Sequence, residues 1–378
     1  MTMEPSMAAR KRTMRCVKIV NPFPTEGQLF TDEEIPAVPE EGALLKVLFS
    51  GMCHSDVIMW NKPYTLPLTL GHEIVGSVYA IGRSASNQDS LKVGDSVIVF
   101  PWCGCTDCKP CLEGRSVYCD LPTPKHIEHG ITVDGGYAEY VAVPKLTFLV
   151  KVPRTVPLQT AGMLGCGMLT AYNAVQTAMK KIDIILELKD KCGILIIGAG
   201  GLGLSAINLL AGLVPAMSDS VEVICADIME KKLSLALKAG CHGIIHLKDG
   251  ESGEERVSKI KSSFHNGGPH IVIDFVGSTH TMNISFKSLK KGGSILCVGL
   301  YGGNPEMPMR ELILGTYDIH GFFTGNLRQM KELVDLVASG KIATIPYQVH
   351  RLEDAPKLIH RLKDGTIEGR AILAPHLE

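Results

Sequence analysis

Ile194-Leu-Ile-Ile-Gly198-Ala-Gly200-Gly201-Leu202-Gly203 is the stretch on which the fold turns. Four apolar residues, three of them β-branched, read as a buried strand. Glycines then follow at Gly-x-Gly-x-x-Gly spacing, and Leu202 to Leu213 opens a helical pattern. Such glycines permit a tight turn and let an anion approach the N–H groups of a helix N-terminus, where the dipole favours negative charge. The strand before and the helix after distinguish this from an ordinary Gly-rich turn and point to a dinucleotide pyrophosphate, with Gly198, Gly200, Gly201, Leu202 and Gly203 in contact.

Toward higher numbers, five more apolar runs alternate with helix-length segments: Val221 to Cys225, Gly243 to Leu247, Ile271 to Phe275, Ile295 to Val298 and Ile319 to Phe323. Six such strands describe an α/β domain with a doubly wound parallel sheet covered on both faces, a Rossmann domain. Asp227 ends the second run, where a carboxylate can accept hydrogen bonds from the adenosine ribose and repel a 2′-phosphate. NAD is therefore expected over NADP, although Lys231 and Lys232 lie a turn beyond and basic side chains can reverse that preference. The long interval from Gly203 to Asp227 is taken up by a polar, Pro-containing loop, Leu213 to Ser220.

Past the sixth run, helices at Asn326 to Ser339 and Glu353 to Lys363 lead to a last strand, Arg370 to Leu373. The parallel sheet already has its six strands, so this tail is expected to return to the other domain. That domain, Arg15 to Leu149, is a succession of short runs broken by Gly and Pro, including Ala43 to Phe49, Ser77 to Ile81, Ser96 to Phe100 and Tyr137 to Val143. A chain of 378 residues, 45% of them hydrophobic, exceeds one comfortable core. The expected division is 1–168 for the β-rich domain, 169–323 for the Rossmann domain and 324–378 for a C-terminal return to the first, which makes the β-rich domain discontinuous.

A formal net charge of −1 gives no electrostatic reason to expect nucleic acid or an anionic membrane, and a small-molecule substrate fits better. No apolar run reaches the ~18 to 20 residues of a membrane span, and no signal-peptide pattern opens the chain. Arg10, Lys11, Arg12 and Arg15 suggest a weak targeting tail, but Glu4 and Pro5 make a solvated extension the better expectation. Twelve cysteines without an export signal argue for reduced thiols, metal binding and a cytoplasmic location.

Five of those cysteines fall between Cys103 and Cys119. Cys105, Cys108, Cys111 and Cys119 read Cys-x2-Cys-x2-Cys-x7-Cys around Pro110 and Gly114. Four thiolates on one short loop can close a tetrahedral shell around Zn2+ with no open position, which makes a structural site. An iron–sulfur cluster is the rival, disfavoured by the missing Cys-Pro ending. Cys103 is a spare, and spacing does not decide which four of the five bind.

Three separated stretches each set a metal-binding side chain beside glycine: Gly51-Met-Cys53-His54-Ser55-Asp56, Gly71-His72-Glu73 and Gly165-Cys166-Gly-Met-Leu-Thr170-Ala-Tyr172. Singly, each is a buried small residue or a satisfied histidine. Together with the four-cysteine loop and the dinucleotide fold, they strongly resemble the zinc-containing medium-chain alcohol dehydrogenase family, from about Met14 onward. The resemblance implies a GroES-like β-rich catalytic domain, two Zn2+ per chain and NAD. It implies a catalytic zinc held by Cys53, His72 and Cys166, with Glu73 able to bind transiently, Asp56 orienting His72, and Ser55 taking the alcohol proton. It places the nicotinamide near Thr170, Val298, Gly299 and Leu300, the pyrophosphate against His54 and Arg370, and the adenosine end near Phe275-Val276-Gly277, with Lys232 also a cofactor contact. Trp60 and Trp102 become candidate pocket walls.

In many relatives a histidine five residues beyond the first ligand cysteine ends a proton relay; here that position is Ile58. The relay is then expected to finish at the cofactor ribose and water. The polyol-dehydrogenase branch commonly has glutamate as third ligand, and Cys166 argues against it. A homodimer and a homotetramer both remain open. Two alternatives stand beside the alcohol dehydrogenase reading: an NADPH-linked aldehyde or enone reductase of the same superfamily, and a non-catalytic nucleotide-binding relative.

Overall fold

The computed structural model describes residues 12–20, 27–86, 90–122, 125–214 and 219–377. Glu4, Pro5, Arg10 and Lys11 lie outside the described residues, as does the middle of the loop from Leu213 to Ser220.

Six strands, Cys192–Ile197, Val221–Asp227, Gly243–His246, Ile271–Asp274, Ser294–Cys297 and Asp318–Gly321, form one sheet. Every neighbouring pair is parallel. Numbered in chain order, they lie third, second, first, fourth, fifth, sixth. Alternation drives the two-sided covering: Cys192, Ile194 and Ile196 enter one apolar cluster, and Leu195 and Ile197 enter another. Chain order reverses beside the first strand, which opens a crevice at the carboxyl ends of the strands. The first strand runs into Gly198, and the helix Gly201–Leu213 follows. A Cβ on Gly203 would stand 1.9 Å from the Gly198 carbonyl oxygen, so this turn closes only around glycine.

The β-rich domain is built on a seven-stranded sheet. Its path runs Leu149–Lys151, Ser96–Val99, Glu73–Ile81, Ala43–Gly51, Arg370–Ala374, Tyr347–Arg351, with Tyr140–Val143 also pairing with Ala43–Gly51. Ile372 sits opposite Gly51 and Leu373 opposite Ser50 in antiparallel register, so residues far apart in sequence share one sheet. The helix Gly167–Leu188 leads from this domain into the first Rossmann strand. Two expectations need correction. Tyr347–Arg351 is a strand that the sequence pattern did not declare, because it is a short, largely exposed edge strand whose only apolar residues are Tyr347 and Val349. The sixth parallel strand ends at Gly321, and Phe322 and Phe323 lie beyond it. No helix among the described residues is long and apolar enough to cross a membrane.

Candidate active site and zinc centres

Three element starts carry the central side chains. Cys53 caps the helix His54–Asn61, His72 and Glu73 sit where the strand Glu73–Ile81 begins, and Cys166 caps Gly167–Leu188. The Cys53 N–H donates to Asp56 Oδ2 at 2.8 Å, a reciprocal cap that fixes the first turn. Ligand atoms of Cys53, His72, Glu73 and Cys166 all lie within 4.8 Å of one another, and all four residues are buried. The sulfurs of Cys53 and Cys166 are 3.8 Å apart.

His72 Nδ1 lies 3.1 Å from Asp56 Oδ1, within ion-pair distance but outside hydrogen-bond geometry, and neither ring nitrogen has a hydrogen-bond partner. A fully buried imidazole without partners is costly, as is a bare pair of buried thiols. Two sulfurs and a nitrogen converging this closely fit Zn2+. Burial opposes charge on His72, but Asp56 and Cys53 outweigh it and hold the ring well above its ordinary pKa. A proton shared with Cys166 holds the Cys53 thiol well below the ordinary thiol range, and Cys53 pushes Cys166 up. Asp56 Oδ2 also accepts from the Tyr137 hydroxyl at 2.9 Å. Burial, with Asp56 adding, raises that phenol well above its usual value, so it stays a donor.

Glu73 accepts from the Gly167 N–H at 2.7 Å and pairs with Arg370 through its other oxygen. Burial pushes the carboxyl up to about 7 despite Arg370. Ser55 Oγ stands 3.9 Å from Cys53 Sγ.

Cys105, Cys108, Cys111 and Cys119 form the second group, with ligand atoms again within 4.8 Å. Cys105 and Cys111 sulfurs are 3.8 Å apart, as are those of Cys108 and Cys119. The Cys108 N–H, 3.3 Å from Cys105 Sγ, is the main cause bringing that thiol down to about 6. Four converging sulfurs suit a closed Zn2+ shell. Cys103 is outside the group: it is fully buried, its thiol 3.5 Å from the Phe100 carbonyl oxygen.

A cleft joins the first group to the Gly-rich turn. Cys53, His54, Ser55, Cys166 and Thr170 line it at one end, Gly198, Gly200, Gly201, Leu202, Gly203, Asp227 and Lys232 further along, with Val276, Val298, Gly299, Leu300 and Arg370 on its walls. Arg370 lies across Gly201, where a Cβ would meet its Cδ at 2.5 Å. Asp227 accepts from the Ala199 N–H through Oδ2 and the Met229 N–H through Oδ1, both at 2.7 Å. That ties the carboxylate to the Gly-rich turn and leaves lone pairs on each oxygen.

Two family models match the chain: an alcohol dehydrogenase GroES-like domain over residues 39–154 and a zinc-binding dehydrogenase domain over residues 201–339. An NAD-dependent alcohol dehydrogenase of Sulfolobus acidocaldarius is 35% identical over 353 residues, covering 90% of this chain and 94% of the relative. The chain belongs to the zinc-containing medium-chain alcohol dehydrogenase family. An alcohol dehydrogenase of Geobacillus stearothermophilus is 30% identical, over 94% of this chain and 97% of its own. The crystal structure of the Aeropyrum pernix alcohol dehydrogenase superposes with a TM-score of 0.80 at 26% identity, over 96% of this chain and all of that one.

Within this dehydrogenase Trp102 lines the cleft, its indole Nε1 donating to the Gly165 carbonyl at 3.2 Å and its ring 5.4 Å from the His72 ring. Trp60 is a correction: it is buried away from the lining and packs edge-on against His360 at 6.4 Å, because its helix turns that face toward Ala355–Lys363. Ile58 does line the cleft, half-exposed, with no titratable group at that position. Phe322, Phe323, Met52 and Tyr301 line it too and were not foreseen. For Phe322 and Phe323 a signal existed: they follow the carboxyl end of a parallel strand, the side on which such sheets bind ligands.

Proposed function

We infer that the protein is a zinc-dependent alcohol dehydrogenase, moving hydride reversibly between an alcohol and NAD to give an aldehyde or ketone. One observation carries this: two sulfurs and an imidazole meet at the end of a cleft that continues to the Gly198–Gly203 turn and Asp227. Zinc held by Cys53, His72 and Cys166 would supply a Lewis acid that lowers the alcohol's pKa, and NAD the hydride acceptor.

The chain's own residues do the rest. Ser55 Oγ accepts the alcohol proton and, with Ile58 in place of a histidine, passes it toward the cofactor ribose and water. Asp56 orients the imidazole of His72, and Glu73 is held beside the ligands by the Gly167 N–H and Arg370. Thr170, Val298, Gly299 and Leu300 position the nicotinamide; His54 and Arg370 take the pyrophosphate at the helix N-terminus. Asp227 takes the adenosine ribose, with Val276 and Lys232 beside it. Trp102 and Phe323, edge-on at 5.3 Å, wall the substrate end and exclude water. The four-cysteine group holds the structural zinc.

Lys232 and Lys363 on the cleft wall favour the NADPH-linked reading. Asp227, fixed at the turn, favours NAD. The domain division 1–168, 169–323 and 324–378 is supported by the pairing of Arg370–Ala374 with Ala43–Gly51. A homodimer or homotetramer is supported by exposed Met309, Ile313 and Leu314 close in sequence to the edge strand Asp318–Gly321. The cytoplasm is the compartment proposed, since none of the twelve cysteines is in a disulfide. Metal analysis with turnover on primary, secondary and aromatic alcohols, using NAD against NADP, tests the whole: about two zincs per chain and NAD-linked oxidation are expected. A protein that holds only one zinc, or that prefers NADP, defeats it.

A further inference from the structure

The segment Asp134-Gly-Gly-Tyr137 has no assigned task, yet it lies along Thr69, Leu70 and Gly71, the residues that lead into His72. Four hydrogen bonds join the two. Thr69 N–H donates to Asp134 Oδ1 at 2.8 Å, and the N–H groups of Gly135, Tyr137 and Gly136 donate to the carbonyls of Thr69, Leu70 and Gly71 at 2.8, 2.9 and 2.7 Å. The Tyr137 ring closes on Gly71, whose φ is +92°; a Cβ there would meet ring atom Cδ1 at 2.4 Å. At its far end the same side chain donates to Asp56 Oδ2, the oxygen that also accepts from the Cys53 N–H. Asp56 Oδ1 is the atom 3.1 Å from His72 Nδ1. Tyr137 and Asp56 are both fully buried, so no solvent can substitute for either contact.

We propose that Tyr137 is a positioning residue for the catalytic zinc, its hydroxyl locking Asp56 and its ring locking Gly71, so that Cys53 and His72 are fixed relative to each other by one side chain. The inference rests on the zinc dehydrogenase reading above. A carboxylate behind a ligand histidine needs its own partners to hold direction, and such outer partners are worth about 10- to 100-fold in metal affinity. With a leucine or phenylalanine at this position Asp56 would keep only the Cys53 N–H on Oδ2 and could rotate away from His72.

Tyr137→Phe tests this, because it keeps the ring on Gly71 and removes one oxygen atom. Purified enzyme is titrated with a chelator such as dipicolinate while both zincs are counted, and the cobalt-substituted protein is examined by visible spectroscopy. Expected are loss of one zinc at about tenfold lower chelator concentration, shifted cobalt bands, and a retained four-cysteine zinc. Wild-type chelator behaviour and cobalt bands in the variant would overturn the role of Tyr137 alone. Loss of both zincs together would overturn it as well, since that marks general unfolding. A wild type that holds only the four-cysteine zinc would sink the dehydrogenase reading itself, and the role of Tyr137 with it.

Discussion

Two groups of four side chains each bring their ligand atoms within 4.8 Å, and they are made in opposite ways. The four-cysteine group comes from one short stretch, Cys105 to Cys119, in which the touching sulfurs of Cys108 and Cys119 are 11 residues apart. Three of its four cysteines are partly exposed. The other group draws Cys53 and Cys166 from positions 113 residues apart, each at the start of an element, and buries every member. A loop of thiolates must be gathered by its ion, so metal binding there is folding energy. The buried group is gathered by sheet pairing, helix caps and Asp56 before any ion is considered. That leaves its remaining coordination position to chemistry.

This contrast can be broken by mutation. Cys166→Ala should show the largest effect, because a Lewis acid worth several kcal/mol corresponds to roughly 10³-fold in turnover. One zinc should remain per chain, and the melting temperature should stay close to wild type; full activity in this variant would end the assignment of the buried group to catalysis. Ser55→Ala should cost about 10²-fold in kcat, the lower end for a general base, while NAD still binds with its original affinity in a fluorescence titration. Turnover equal to wild type would remove Ser55 from the mechanism.

Cys108→Ala should reverse the pattern. The folded fraction should turn over within about tenfold of wild type, while the melting temperature falls by about 5 to 10 °C, a few kcal/mol for a chain of this size. A kcat collapse at unchanged stability would show that the two groups are not separate. The smallest effect belongs to neither group. His270 Nδ1 accepts from the Gly193 N–H at 3.0 Å, and burial holds the ring down to about 4. Its folded pKa is depressed, so the neutral ring lends stability that is complete above the unfolded value near 6.5 and is lost as pH falls toward 4. Melting followed from pH 7 to 4 should decline less in His270→Gln than in wild type.

What could be read from residues alone follows the same division. The four-cysteine loop and the Gly198–Gly203 turn are local, and their spacing carries their geometry. Asp227 at the end of its strand was legible for the same reason. The meeting of Cys53, His72 and Cys166 is a long-range event that periodicity cannot report; it became visible through likeness to a family. Trp60 misled because an aromatic on a short helix can face a cleft or a neighbouring helix, and only packing against Ala355–Lys363 decides. Cys103 could be dismissed only once its thiol was seen near the Phe100 carbonyl. Phe322 and Phe323 were hidden inside an apolar run that continues past the strand's end. The link from Tyr137 to Asp56 spans 81 residues and leaves no periodic trace.

Arg370 reaches Glu73 across 297 residues, and its strand zips onto Ala43–Gly51. During synthesis the ribosome therefore releases the entire Rossmann unit before the ligand-bearing domain receives its last strand. Nascent chains can complete the nucleotide fold first, while the neighbouring half waits with an open sheet edge and an uncompensated glutamate. Premature termination between the sixth parallel strand, Asp318–Gly321, and residue 370 would leave the nucleotide sheet complete but the cleft beside it without Arg370.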